Sequence, residues 1–308
     1  MIPAYNEERL IGPTLDGVPE CVDRIYVVDD CSPDGQNAVV EDRALLDNRI
    51  ILLRHEKNKG AGGAIITGYR RSAADGYDIA VVCGGDNQMP LHEIPNLLDP
   101  IIDGECDYAK GNRFSLSTIE DTFAKMPLSR LIGNWIITGL VKLASGYYKT
   151  MDVVEGFTAI TRNAIEIINW DRAWPHYGYP MDFLIRLNAY GFRIKDVPRT
   201  SIYLPGERQS QIKGLHYALS VSPMLLRTFL WRLKFKYLYL SFHPLIFLFM
   251  YALLALPLGI GYGFHLIYRQ FISMVGVSGP QAILCVLLIL TGFQSLISAM
   301  ILDMTENK

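Results

Sequence analysis

The stretch "CGGDNQMP" at residues 83–90 follows the apolar run "DIAVV" (78–82) and precedes the helix-like "LHEIPNLLDPI" (91–101). A strand that ends in Gly-Gly-Asp-Asn-Gln brings backbone and a carboxylate up against a ligand. The glycines admit close approach, and an ionised Asp accepts hydrogen bonds or a cation. A metal-chelated phosphate usually takes two carboxylates at such a place, and this stretch offers one, Asp86.

Outward from it, short β-branched runs alternate with helical ones. "RIYVVDD" (24–30), "RIILLRH" (49–55) and "YDIAVVCGG" (77–85) predict buried strands, with helices over "GAIITGYRRSAADG" (63–76) and "LHEIPNLLDPIIDG" (91–104). The alternation predicts an α/β, Rossmann-like, mostly parallel sheet with helices on both faces. Ligands of such sheets bind beyond the carboxyl ends of the strands. The polar clusters fall there: "PAYNEE" (3–8) after a first strand, "DDCSPDG" (29–35) after the second and "GGDNQ" (84–88) after the fourth. "MIPAYNEE" leaves its strand almost no residues, so either that strand is very short or the true start lies upstream.

The two acidic turns make a rim suited to a ribose and a base, whose hydroxyls and ring N–H groups a carboxylate can accept. Asp, Ser, Pro and Gly are equally ordinary turn formers. "NKGAGGAIITG" (58–68) invites a phosphate-loop reading but lacks the G-x-x-x-x-G-K-[ST] pattern, and its G-x-G-x-x-G spacing ends on Ile65. Close packing of this helix on the sheet is favoured, although its N-terminus could face an anion.

The 308 residues are 50% hydrophobic with a formal net charge of −2, which gives no global attraction to nucleic acid. The hydrophobicity is uneven. Between Lys236 and Asp303 the only charged residue is Arg269, and 243–268 and 282–302 are each long enough to cross a hydrocarbon core of roughly 30 Å. This predicts a transmembrane hairpin; two buried helices of a soluble core are the alternative. Arg227, Arg232, Lys234 and Lys236 precede the first span and Lys308 ends the chain, so both termini are expected in the cytoplasm. No apolar signal segment opens the sequence, which keeps the first 240 or so residues cytosolic in this reading. The five scattered cysteines suggest neither a disulfide framework nor a zinc site.

Beyond residue 150 the pattern loosens. The later part of 214–240, with apolar and basic residues mixed and Pro223 interrupting it, reads as an amphipathic helix on the membrane surface. A helix packed on the globular domain is the other reading. The expected organisation is a cytosolic α/β domain over 1–213, a juxtamembrane region over 214–240 and a hairpin over 241–308.

"IPAYNEE", "VVDDCSPDG", "NKGAGGAIITGYR", "GGDNQMP", "KGNRF", "DVVEGFTAI" and "GFRIKDVP" occur in the order and spacing of family 2 glycosyltransferases of the GT-A fold. The resemblance covers residues 1 to about 215. Within that family the chain resembles the polyprenyl-phosphate glycosyl synthases of the dolichyl-phosphate mannose synthase type, and "WRLKFKYLYLSFHPLIF" before the hairpin extends the likeness. The resemblance implies inverting transfer of a sugar from a GDP- or UDP-linked donor to a membrane polyprenyl phosphate, with Mg2+ or Mn2+. It implies that Pro3, Tyr5, Asn6 and Glu7 border the nucleotide, and that Asp29 or Asp30 holds base and ribose. Asp86 matches the second Asp of the family's D-x-D metal motif and Gln88 the Gln after it. Arg113 and Arg130 would bind the acceptor phosphate, Asn134 stands where a hydroxyl-bearing partner is often seen, and Asp182 matches an acidic position of the acceptor side. Glu207, Arg208, Ser210 and Lys213 fall in the segment that closes over the diphosphate.

One position departs. The first Asp of the D-x-D is Gly84 here, so Asp86 would serve as the sole metal carboxylate. Magnesium keeps several waters and few protein ligands, which makes one carboxylate workable. Two rivals stand beside this reading. A processive polysaccharide synthase would carry an Arg-Trp dipeptide, which this chain lacks. A catalytically inactive, membrane-anchored nucleotide-binding scaffold would account for Gly84.

Overall fold

The computed structural model describes residues 1–114, 128–202 and 214–307, without the side chains of 128–132, 134 and 214–219. Strands β1 (Ile2–Ala4), β2 (Ile25–Asp29) and β3 (Ile50–Arg54) pair in parallel in the order β1-β2-β3. Four more, β4 (Ile79–Val82), β5 (Tyr108–Asn112), β6 (Thr158–Thr161) and β7 (Ile194–Pro198), run in the order β4-β6-β5-β7. Met1 joins the two sets: its nitrogen donates to the Val81 carbonyl at 2.6 Å, and its carbonyl accepts from the Cys83 N–H at 3.1 Å. The second set is mixed, because β6 lies antiparallel between β4 and β5 while β5 and β7 are parallel. An antiparallel neighbour needs no crossover helix on one face, so β6 is invisible to the α/β alternation that predicts the others.

β2 is buried along its whole length. Ile25 and Val27 enter a core with Ile11, Leu15, Ile94 and Leu97, from helix α1 (Ile11–Asp16) and the helix over Ile94–Ile102. A strand covered on both faces reads as a continuous apolar run, which is why "IYVV" carries no alternation. On other helices, Tyr69, Trp170 and Phe183 form an aromatic cluster with ring centroids 4.8–6.3 Å apart. Helix α2 spans Gln36–Leu46, α3 Gly60–Ala74 and α4 Ile94–Ile102; α5 spans Leu128–Ser145, α6 Arg162–Ile167 and α7 Tyr179–Ala189. Gly62 on α3 lies so close to its neighbours that a Cβ there would sit 2.5 Å from the Trp174 carbonyl oxygen and 2.8 Å from Tyr179 Cβ. The Gly-rich stretch therefore serves close packing.

The chain divides into two compact units, Met1–Phe229 and Leu230–Lys308, and the boundary falls inside helix α8 (Gly214–Lys234). In the first unit α8 buries Val221, Met224, Leu225, Thr228 and Phe229, an i, i+3, i+4, i+7, i+8 stripe, and Thr228 Oγ1 donates to Asp182 at 3.0 Å. The helix is thus fastened to the α/β unit by its apolar face.

In the second unit α9 (Leu245–Phe271) and α10 (Gly279–Glu306) have 27 and 28 residues, and both are long and apolar enough to cross a membrane. Phe247, Leu254, Leu258 and Phe264 on α9 and Leu290 on α10 are exposed, as lipid-facing side chains would be. Small residues bring the helices together: a Cβ on Gly259 would meet Ile289 Cγ1 at 2.9 Å, and one on Gly292 would meet Leu256 Cγ at 2.9 Å. Gly259→Val is expected to lower the melting temperature of the detergent-solubilised protein, by roughly 1–3 kcal/mol of overpacking; an unchanged melt would show that the helices do not meet at Gly259.

The cations before the first span divide. Arg227 and Lys234 are exposed, whereas Arg232 is fully buried with its guanidinium 2.9 and 3.1 Å from the Asp303 oxygens. Burial, with Arg232 beside it, pushes Lys236 down to about 8. Arg227 and Lys234 thus keep their charges towards the surface, whereas Arg232 meets Asp303 and Lys236 donates to Asn307 within the second unit.

Candidate active site at the strand ends

Four non-glycine residues among those described have positive φ, and three of them end β1, β2 and β4: Asn6 (62°), Cys31 (60°) and Asn87 (53°). Such backbone costs of order 1 kcal/mol or more per residue and gathers where a ligand site over-determines the chain. It marks the strand edge at which the polar clusters were expected.

The first two clusters are knitted to each other. Asn6 N–H donates to Ser32 Oγ (2.7 Å) and Glu7 N–H to Gln36 Oε1 (3.1 Å). The Gln36 amide donates in turn to the Ala4 carbonyl and to Asp29. Asp29 also accepts from the Ser32 N–H and from Asn37, so its carboxylate is buried and shared among protein donors. Asp30 is buried too. It accepts the Lys59 and Gly60 N–H groups at the start of α3, each at 2.7 Å, and His55 Nδ1 at 2.7 Å. The anion at that Gly-rich helix N-terminus is therefore Asp30 itself. Both aspartates expected at the base and ribose stand beneath the rim, and the outward groups are Tyr5, half exposed, with Asn6 and Glu7. Pro3 lies within β1, in register with Val28.

At the end of β4, Asp86 Oδ1 accepts the Gln88 N–H at 3.2 Å. The same oxygen lies 2.9 Å from where a Cβ on Gly84 would stand, so the surviving carboxylate covers the place of the missing one. Burial raises the Asp86 carboxyl above its usual range; Arg199 opposes the shift and Glu155 adds to it. Burial also raises the Tyr177 hydroxyl, with Glu7 and then Asp86 contributing, although much of the side chain is exposed.

Arg113 follows β5 and is about one third exposed. Its Nε and Nη2 grip Asp152 in a two-pronged pair at 2.7 and 3.0 Å, and Nε also lies 3.1 Å from Glu155. Burial pushes Asp152 up, but the Arg113 guanidinium outweighs it and leaves this carboxyl below its usual range. Glu155 accepts both Nε and Nη2 of Arg199, at 3.0 and 2.8 Å. Asp152, Glu155 and Arg199 were not picked out as site residues. Their signal in the sequence was a charge set in an apolar run, in "DVVEGF" and "KDVPR".

Asp182 lies in the interior at 1% exposure. It accepts from the Trp174 N–H (2.9 Å), Arg186 Nε (2.7 Å) and Thr228, so its contacts are those of a fold anchor. The side chains of Arg130 and Asn134, and the segment with Glu207, Arg208, Ser210 and Lys213, lie outside the described residues.

Among the described residues no group of three or more His, Cys, Asp or Glu forms a ready cation site. Asp86, whose Oδ1 stands against Gly84, fits a hard divalent ion that arrives with phosphate and water as its other ligands.

An α/β sheet with a carboxylate and a partly exposed arginine at one strand edge has the makings of a sugar-nucleotide transferase, and its fold has a solved counterpart. The structure of glucosyl-3-phosphoglycerate synthase from Mycobacterium tuberculosis, in complex with Mn2+, UDP and glucosyl-3-phosphoglycerate, superposes with a TM-score of 0.50 at 21% identity, over 75% of this chain and 77% of that one. The fold is GT-A. The model of glycosyl transferase family 2 matches residues 1–168, and the chain belongs to that family. A UDP-N-acetylglucosamine–dolichyl-phosphate N-acetylglucosaminyltransferase of Methanococcus voltae is 30% identical over 216 residues, 66% of this chain and 84% of its own. An undecaprenyl-phosphate mannosyltransferase of Micrococcus luteus is 30% identical over 207 residues, 66% of this chain and 82% of its own.

Proposed function

We propose that this glycosyltransferase moves a sugar, with inversion, from a GDP- or UDP-linked donor to a polyprenyl phosphate at the cytosolic face of a membrane. The observation that carries the reading is that β4 and β5, both antiparallel to β6, bring Asp86 and Arg113 to the same edge of the sheet, in a chain with two helices able to cross a membrane. Two relatives named for dolichyl and undecaprenyl phosphate support the acceptor class. On α5, which follows Arg113 in the chain, Trp135, Ile136 and Leu140 are exposed, as suits a site working against lipid.

The chemistry asks little of a general base, because a phosphate oxygen is already ionised near neutral pH. Positioning and charge do most of the work. Tyr5, Asn6 and Glu7 would border the nucleotide, held up from beneath by Asp29 and Asp30. Arg113, oriented by Asp152, would present its guanidinium to the acceptor phosphate, where a planar fork suits two oxygens. Arg130 and Asn134 would join it, with Glu207, Arg208, Ser210 and Lys213 closing over the diphosphate. Asp86, with Gln88 beside it, would hold Mg2+ or Mn2+, which when bound neutralises charge on the leaving diphosphate.

The test uses membranes containing the full chain, polyprenyl phosphate and labelled nucleotide sugars, with magnesium, manganese or chelator. Label from one donor is expected in the organic phase, and chelator is expected to abolish it. Nucleotide binding with no transfer from any donor would favour the scaffold over the enzyme.

A further inference from the structure

We propose that the buried pair Lys110–Asp196 positions Arg113 for the acceptor phosphate: Asp196 holds the backbone at Met151, and the neighbouring Asp152 holds the guanidinium. The inference rests on the acceptor role given to Arg113 above.

β5 is buried at every position, and one of its residues is a lysine. Lys110 is 1% exposed, and the proposed transfer gives it no part. An ammonium in such a place is costly unless it is paired. Its partner stands across the parallel ladder, where Lys110 is in register with Asp196 of β7 and Nζ meets Oδ1 at 3.0 Å. Two apolar side chains would join these strands at less cost. The other oxygen of Asp196 gives the pair a further reach, since Oδ2 accepts the Met151 N–H at 2.8 Å.

From Met151 the contacts close a ring. The next residue, Asp152, is itself buried and accepts Arg113 Nε at 2.7 Å, Nη2 at 3.0 Å and the Arg113 N–H at 3.3 Å. Arg113 follows the strand that carries Lys110, so the ring starts and ends at β5. The second acid beside Arg113 is anchored in the same way. Glu155, 3.1 Å from Arg113 Nε, takes the guanidinium of Arg199, the residue after β7, at 2.8 Å. Both carboxylates that face Arg113 are thus held from β7. An arginine paired with a loose surface acid would swing with it, whereas this one is aimed by acids fastened to a strand.

The experiment measures binding of farnesyl phosphate, a short polyprenyl phosphate, to the full chain in detergent, with farnesol, UDP and GDP as separate probes. Lys110→Met with Asp196→Leu removes both buried charges together with the acceptor for the Met151 N–H. This variant is expected to weaken farnesyl phosphate binding about tenfold and to leave farnesol and the nucleotides within about twofold, as a displaced phosphate-binding group would. Lys110→Met with Asp196→Asn keeps an oxygen for the Met151 N–H without restoring either charge, and is expected to recover most of that loss. Equal affinity of the two double variants for farnesyl phosphate, strong or weak, would overturn the inference, because the Met151 contact would then carry nothing. A matching loss of nucleotide affinity would overturn it too, since that is the mark of a purely structural pair. Arg113→Met tests the reading beneath. If it binds farnesyl phosphate like the unsubstituted protein, or if the unsubstituted protein holds farnesyl phosphate no better than farnesol, the acceptor role of Arg113 fails and the inference with it. A weakened Arg113→Met beside an unaffected Asp196→Leu variant removes the inference alone.

Discussion

Asp86→Asn is expected to lower sugar transfer by about a thousandfold, the upper range for removing one electrostatic group at a reacting centre, while the protein melts no lower than the unsubstituted chain. The two halves of this expectation have one cause. Burial raises the Asp86 carboxyl above its usual range, the reverse of the common carboxylate case. A carboxyl that binds its proton more readily folded than unfolded costs stability once pH exceeds the folded value, and the cost disappears as pH falls below both values. At neutral pH the ionised group is therefore a burden on the empty fold, which an amide of the same shape does not carry. The Gln88 N–H keeps an oxygen to donate to in the variant. The same shift sets an acid limb for activity: transfer should fall with decreasing pH through a value above the ordinary carboxylate range. Label transfer and thermal melts on the same preparations check both halves. Transfer within tenfold of the unsubstituted rate would remove Asp86 from the proposed chemistry.

Residues that act through local rules were legible. β2, β3 and β4 appear as apolar runs, α3 as a glycine-rich helix packed against its neighbours, and α9 and α10 as long apolar stretches with charges only near their C-terminal ends, because each follows from the apolar surroundings of the segment itself. The strand edge that carries the candidate site was legible for the same reason, since the polar turns end those strands. The duty of each acid was not. Asp29 and Asp30 resemble ligand carboxylates in "VVDDCSPDG", yet both are consumed by protein donors, Asp30 by N–H groups 29 and 30 residues away. Glu155 and Arg199 stand 44 residues apart and meet only because β7 runs beside β5. No periodicity records such a pairing. Asp182 could be matched by motif, but in the interior it meets Thr228, 46 residues on.

The membrane unit carries the largest expected effect on stability. Arg232 and Asp303 are both fully buried, and the guanidinium reaches both carboxylate oxygens. The Tyr237 hydroxyl and the Asn307 amide also donate to Asp303. Read from composition, Arg232 is one of several cations flanking a span; in the structure it belongs to a network within the second unit that ties the last turn of α8 to the end of α10. Asp303→Ala takes the carboxylate away from a buried guanidinium and should cost about 3–5 kcal/mol, the range for breaking one side of a buried pair. Arg232→Met combined with Asp303→Leu removes both charges and should recover most of the loss, since apolar packing can replace a buried ion pair at little net cost. Thermal unfolding of the three proteins in one detergent measures the difference. A double variant as unstable as Asp303→Ala alone would mean that the network's hydrogen bonds from Tyr237 and Asn307, rather than the uncompensated charge of Arg232, set the stability of this unit.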